Sequence, residues 1–230
     1  MTPDRSAADA NGVNRFFSGF AETWDSLYGG RRSYPVRMFD HAFRRDIYER
    51  YELTFDHLGA DLTGKTVLDV GCGSGVYCFE AARRHASRVV GIDVAEGMIQ
   101  MARDRSRELG YDGVCEFVPC GLPPGRDVPA LRQTYDYAIV MGVTDYVQDV
   151  DEFLRALFPL VAGSAILSFS GKHWLRAPLR RHRYRLLGRC PVYTYDDKSI
   201  RRACAQGGFE RVDIRRLDHS GICYIVRAFA

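Results

Sequence analysis

The sequence lacks several features that would assign it to a class at once. Its seven cysteines are odd in number and contain no C-x-x-C pair, so we expect reduced thiols, no metal site and a cytoplasmic location. It has no run of about 18 apolar residues, which argues against a membrane-spanning helix. Residues 1–12 are polar, without the apolar stretch of a signal peptide, and we expect a disordered tail there. A net charge of +3 is too small to indicate a nucleic-acid partner.

What the sequence does contain, from residue 66 onward, is a regular alternation of short β-branched runs and helical periods. The expected strands are 66–70, 88–93, 114–118, 135–141, 164–170, 211–217 and 221–229, and the expected helices are 76–85, 96–109, 150–161 and 196–206. Strands separated by helices form right-handed crossovers, so the fold class is α/β with a doubly wound parallel sheet. The last two strands are too close in sequence for a crossover and must form an antiparallel hairpin.

Residues 13–62, ahead of the sheet, predict an N-terminal helical cap, and residues 63–230 form the domain that carries the ligand site. Aromatic and apolar side chains recur there every four residues: Phe16, Phe20, Trp24 and Tyr28, then Phe39, Phe43, Ile47, Tyr51 and Phe55. Such spacing is typical of two amphipathic helices that pack on the sheet. The first helix is also placed to close over a ligand, which makes Trp24 and Tyr28 candidate substrate-binding residues.

The stretch "VLDVGCGSG", residues 67–75, places three glycines directly after the first strand. A glycine-rich turn there lies at the topological switch point of a doubly wound sheet, where ligands bind. Dinucleotide sites favour G-x-G-x-x-G, whereas this turn reads G-x-G-x-G with Asp69 just before it. A carboxylate repels a pyrophosphate and attracts an ammonium or sulfonium. Asp93, at the end of the second strand, is placed to accept hydrogen bonds from a ribose diol.

These residues and two later segments, "VVGIDVAEGMIQMAR" and "YDYAIVMGVTDYVQDVDEFLRALFPLVAGS", resemble the successive motifs of class I SAM-dependent methyltransferases over residues 64–170. The resemblance implies a Rossmann-like seven-stranded sheet with an antiparallel C-terminal hairpin, and S-adenosyl-L-methionine (SAM) as cofactor. It implies contacts with the methionine part, the ribose, the adenine and the region of the sulfonium. The cofactor-binding residues implied are Asp69, Gly71, Gly73, Gly75, Asp93, Val94, Met98, Cys120, Gly121, Leu122, Met141 and Gly142.

The sequence departs from this family pattern at one position of the adenine site. The family usually has an acidic residue after the third strand, where "FVPCGLP" places Cys120. A thiol is a poor hydrogen-bond acceptor. Adenine recognition would then depend on backbone groups around Gly121 and Leu122 and on packing.

The acceptor side is less defined. Many relatives carry a histidine after the fourth strand where this chain has Asp145, our first candidate for a catalytic residue; its alternative role is to cap the following helix. His173 is the second candidate. We place Tyr146, Trp174 and Arg176 among the substrate-binding residues.

A basic segment, residues 172–189, lies within an expected insertion at about 171–195. It holds one lysine and six arginines and no acid. This composition favours either a solvated basic face or the binding of an anionic substrate.

The sequence therefore predicts a methyltransferase that acts on an oxygen or nitrogen of a small, anionic metabolite, with neither a nucleic acid nor an integral membrane partner. The oligomeric state is left open. Three alternatives are a cyclase or lyase of the same fold that consumes SAM and releases methylthioadenosine, a non-catalytic SAM-binding protein, and an NAD-binding oxidoreductase. The glycine spacing and Asp69 disfavour the last.

Overall fold

A computed structural model describes residues 47–171, 192–217 and 223–230. The cap residues before 47, and with them Trp24 and Tyr28, lie outside the described residues, as do His173, Trp174, Arg176 and the basic segment 172–189. In the described part of the predicted cap, residues 47–58 are helical (α1). No helix in the described ranges is long and apolar enough to cross a membrane.

The strands and helices alternate as the sequence predicts. The strands are β1 (Thr66–Val70), β2 (Arg88–Asp93), β3 (Cys115–Pro119), β4 (Tyr135–Val140), β5 (Val161–Ser170), β6 (Arg211–Arg216) and β7 (Cys223–Phe229). The helices that follow α1 are α2 (Val76–Arg83), α3 (Glu96–Leu109), α4 (Val150–Leu157) and α5 (Asp197–Gln206). Short 3-10 turns cover Pro129–Leu131, Thr144–Tyr146 and Phe158–Leu160.

The seven strands form one sheet in the order β3-β2-β1-β4-β5-β7-β6. Strands β1 to β5 are parallel, and β7 lies antiparallel to both β5 and β6. The predicted α/β class, the doubly wound parallel sheet and the C-terminal hairpin are confirmed. Because the chain order reverses beside β1, the carboxyl ends of β1 and β4 form the switch point where such sheets bind ligands.

Successive residues of β1 are buried on opposite faces of the sheet. Leu68 lies in the core formed with α4 and α5, whereas Val67 lies in the core formed with α1 and α2. The period of two places Asp69 on the same face as Val67, towards α2. This alternation decides which helix can contact the acid at the end of β1.

The predicted helix over 150–161 is too long. Helix α4 ends at Leu157, a 3-10 turn follows, and Val161 is the first residue of β5 instead of the last residue of a helix. Pro159 lies in that turn and has no N–H to continue the helical hydrogen bonds. The fifth strand therefore begins three residues before the predicted Ser164.

Candidate functional site

The three glycines after β1 all have left-handed backbone angles but meet different surroundings. Their φ values are +73° at Gly71, +53° at Gly73 and +88° at Gly75. A Cβ on Gly71 would overlap Cγ2 of Val143, and one on Gly75 would lie 2.8 Å from the Phe79 ring. At Gly73 nothing stands within 4 Å. Gly71 and Gly75 are therefore required by packing, while Gly73 leaves space that a ligand can occupy.

Asp93 fastens this glycine turn to the end of β2. Its Oδ2 accepts the N–H of Gly73 at 2.9 Å, and its Oδ1 accepts the N–H of Ala95 at 2.8 Å. Burial raises the pKa of Asp93, and the bonds from backbone N–H groups oppose that rise. Each carboxylate oxygen can accept more than one hydrogen bond, so the carboxylate retains capacity for a diol.

Asp69 has a different environment, although it lies at the end of the neighbouring strand. It is 1% exposed, and its Oδ2 accepts a hydrogen bond from the thiol of Cys78 on α2 at 3.2 Å. Burial, and then the nearby charge of Asp93, raise its pKa to about 7 despite the thiol. The site thus holds a carboxyl group that changes its charge near neutral pH.

The predicted adenine side is formed by the loops that follow β2 and β3. The N–H of Cys120 donates to the carbonyl oxygen of Asp93 at 2.9 Å, and a Cβ on Gly121 would lie 3.1 Å from Cγ1 of Val94. The thiol of Cys120 contacts the carbonyl oxygen of Gly121 at 2.9 Å. The side chain of Met98 is buried beside Ala95 and Met101.

At the end of β4 the predicted residues meet a side chain that sequence reasoning missed. Gly142 has a φ of +74°, and its N–H donates to Oγ of Ser168 at 2.7 Å. A guanidinium nitrogen of Arg50 on α1 lies 3.9 Å from where a Gly142 Cβ would stand. Met141 packs against the core shared by α1 and α2. Helix α1 therefore brings a cation to the carboxyl end of β4.

Asp145 lies in the 3-10 turn after β4 and is 5% exposed. Its Oδ1 accepts the N–H of Ser170 at 3.0 Å, and its Oδ2 accepts the Ser170 hydroxyl at 2.7 Å. Helix α4 is capped by Asp149 and not by Asp145, so the alternative role that the sequence allowed is wrong. Tyr146, in the same turn, is partly exposed.

The loop that holds Asp145 has further bonds to the strand beside it. The Thr144 hydroxyl donates to the carbonyl oxygen of Ser168 at 2.6 Å. The N–H of Tyr193 donates to the carbonyl oxygen of Asp145 at 2.8 Å. The Tyr195 hydroxyl donates to the Thr144 carbonyl at 3.1 Å. No sequence motif indicates these partners. Ser168 lies in the interior of β5, and Tyr193 and Tyr195 lie in the segment that begins at residue 192.

The structure thus gathers the described cofactor-site candidates along the carboxyl edge of β1, β2, β3 and β4. No group of three or more histidines, cysteines or acids among the described residues could hold a metal ion.

Several known proteins that are similar to this chain are named as methyltransferases. Residues 61–182, more than half of the chain, match the family model described as "Methyltransferase domain". The ubiquinone biosynthesis O-methyltransferase of Methylobacterium sp. (strain 4-46) is 33% identical over 159 residues, which are 66% of this chain and 59% of that protein. The ribosomal protein L11 methyltransferase of Aeromonas hydrophila is 33% identical over 52% of this chain and 38% of its own. The chain therefore spans less than two thirds of the length of each of these two relatives.

A solved structure matches this fold over nearly the whole length of both chains. The magnesium protoporphyrin IX methyltransferase of Synechocystis PCC 6803, with bound SAH, superposes with a TM-score of 0.70 at 22% identity and covers 96% of this chain and 99% of its own. At that identity the likeness concerns the fold.

Proposed function

The chain belongs to the methyltransferase domain family, as its motifs predict, and on that premise we propose that it transfers a methyl group from SAM to an oxygen or nitrogen of a small anionic acceptor. The observation that carries the proposal is the closure of the glycine turn by Asp93, with open space at Gly73. These features fit SAM. Asp93 would accept the ribose hydroxyls, Asp69 would face the amino group, and Gly73 would border the methionine part.

SAM, when bound, supplies a methyl group on a positively charged sulfur, and a neutral thioether leaves. Because such a leaving group needs no proton, the protein's main task is to align the acceptor and exclude water. A base is required only where the acceptor arrives protonated.

The bonds of Asp145 support a positioning role for this residue. Both of its carboxylate oxygens are held by Ser170, so they fix the loop after β4 against β5. We assign to Asp145 the task of shaping the acceptor side. His173, which follows β5 in sequence, is then our candidate for proton removal.

Two observations support an anionic acceptor. Arg50 lies at the carboxyl end of β4, close to Gly142. The segment 172–189, which follows β5 in sequence, carries six arginines and one lysine. Arginine recognises carboxylates and phosphates through paired hydrogen bonds. The names of two relatives refer to ubiquinone biosynthesis and to ribosomal protein L11, so the relatives do not agree on one acceptor. The preference for an anionic acceptor therefore rests on the basic residues of this chain.

The test is a comparison of SAM alone with SAM plus pools of acidic metabolites. Chromatography should detect little turnover with SAM alone. With the correct pool, we expect S-adenosylhomocysteine and methylated product in equal amounts. Rapid methylthioadenosine formation without any acceptor would instead identify a cyclase or lyase. Tight SAM binding without turnover in any pool would favour the non-catalytic alternative.

A further inference from the structure

The carboxyl group of Asp69 is held by a thiol, whereas that of Asp93 is held by backbone N–H groups. Within the described residues, the donor that reaches Asp69 is Sγ of Cys78, at 3.2 Å from Oδ2. Cys78 itself is 0% exposed and lies on α2, the helix that the glycine turn begins. A thiol is a weak donor. A buried carboxylate with so weak a partner is poorly compensated for its lost hydration.

In the part of the chain that the structure describes, the other groups near Asp69 do not supply a counter-charge. Asp93 on β2 adds a like charge, Cys72 in the glycine turn is a buried thiol, and Cys115 on β3 lies behind Cys78. The partner of Asp69 in register on β4 is the apolar Ile139. These surroundings favour the neutral carboxyl group in the free protein, in agreement with its pKa of about 7.

We propose that Cys78 is a positioning residue for Asp69, and that binding of the amino group of SAM replaces a carboxyl proton by an ammonium ion. The inference rests on the proposed function. Below the midpoint of Asp69, the free protein holds this residue as COOH, the ligand brings its amine as NH₃⁺, and the complex contains COO⁻ and NH₃⁺. One proton is released to solvent, and no other bond changes.

This coupling gives ligand affinity a defined dependence on pH. Below the midpoint of Asp69, affinity should fall about tenfold per pH unit, because the bound state has one proton fewer. Above about pH 8, affinity should fall again as the free α-amino group loses its own proton. The low-pH limb belongs to Asp69 and depends on Cys78, whereas the high-pH limb belongs to the ligand.

The experiment is calorimetric titration with S-adenosylhomocysteine from about pH 5.5 to about pH 9, in buffers of different ionisation enthalpy. Cys78→Ser supplies a stronger donor to the carboxylate and should move the low-pH midpoint down. Cys78→Ala removes the donor and should move that midpoint up by about one unit, which is a tenfold loss of affinity below it. The high-pH limb should stay in place in both variants.

Two controls separate this coupling from a loss of packing. Cys204→Ala removes a thiol that is equally buried on α5 and should leave both limbs unchanged. Methylthioadenosine lacks the amino-acid part and should bind without proton release. Infrared spectra of the wild-type protein should show a protonated carboxyl band below pH 7 that Asp69→Asn removes, even if a Cys78 variant fails to fold.

Three results would overturn the inference. A flat pH profile in the wild type would do so, as would equal and parallel losses in Cys78→Ser and Cys78→Ala. In both cases S-adenosylhomocysteine still binds, and the proposed function stands. If neither SAM nor S-adenosylhomocysteine binds at any pH, the proposed function fails and this inference fails with it.

Discussion

The backbone N–H of Gly73 donates a hydrogen bond to Oδ2 of Asp93 at 2.9 Å. This bond joins two motifs that end neighbouring parallel strands, and it holds the glycine turn against the end of β2.

Asp93→Ala should weaken SAM binding by about one to two orders of magnitude, since a hydrogen bond to a charged group contributes about 1.5–3 kcal/mol. It should also lower the melting temperature, because the Gly73 and Ala95 N–H groups lose their acceptor. Calorimetry and thermal unfolding measure both effects. Asp104→Ala, which removes an exposed acid on α3, is the control and should change neither. Unchanged affinity in Asp93→Ala would remove Asp93 from the site.

Gly73→Val should abolish SAM binding and leave the fold intact. The new side chain would fill the open space beside the turn and would cost about 1–2 kcal/mol of backbone strain at a positive φ. Gly64→Val is a matched control, since Gly64 has a φ of +74° and also has nothing within 4 Å, but lies before β1. We expect a similar loss of stability in urea and normal binding for that variant. If Gly73→Val binds SAM normally, the glycine serves the turn alone.

Asp69→Asn should change how stability depends on pH. Folding raises the pKa of Asp69 from 3.8 to about 7, so the stability due to its neutral form is complete below about pH 3.8 and is lost as the pH rises through 7. The asparagine variant carries no such loss. At pH 8 we expect its free energy of unfolding to exceed that of the wild type by about 1–3 kcal/mol, with weaker S-adenosylhomocysteine binding. Wild-type and variant stabilities that differ by a constant amount across this range would contradict the assignment.

Glu80→Gln should loosen the contact between α1 and α2. The Glu80 carboxylate accepts bonds from Arg83 and Arg84, and Arg84 also donates to the carbonyl oxygen of Gly59 at 2.9 Å, just after α1. The bond from Arg83 contributes most, and it outweighs burial to lower the pKa of Glu80 from 4.5 to about 2. A lowered pKa adds stability above about pH 4.5 that disappears as the pH falls to about 2.

The Glu80→Gln variant should therefore lose about 1–3 kcal/mol of stability at pH 7, and the difference from wild type should vanish in acid. Urea unfolding across the pH range measures it. Glu116→Gln on β3 removes one acid of an exposed pair with Arg88, and we expect an effect under about 1 kcal/mol there. A Glu80 variant that keeps the same deficit at pH 2.5 and pH 7 would show that packing, and not charge, is responsible.

Asp145→Ala should slow methyl transfer without changing SAM affinity by more than about threefold. It leaves the buried N–H of Ser170 without its acceptor, which costs about 1–3 kcal/mol, and it frees the loop on the acceptor side. Initial rates with the acceptor found in the metabolite screen, together with calorimetry, separate the two effects. If Asp145 is instead a base, Asp145→Asn should flatten the pH–rate profile.

Much of this architecture could be predicted from the sequence because the signals are local. The strand at 66–70 and the helix at 96–109 have the predicted bounds, since apolar periodicity and flanking glycines are properties of adjacent residues. The glycine turn and the acid at the end of β2 could also be placed at one edge of the sheet from the sequence. Parallel strands bring their carboxyl ends together whatever the helices between them contain.

Tertiary structure decided which partner each of these groups has. The bond between Asp69 and Cys78 depends on the face that β1 presents to α2, and that between Asp145 and Ser170 joins residues 25 positions apart. Arg50 reaches Gly142 only because α1 packs on α2. Sequence supplies the chemical groups and the strand that carries each one, but the charge state of a buried group depends on the atoms that replace its water, and those come from other parts of the chain.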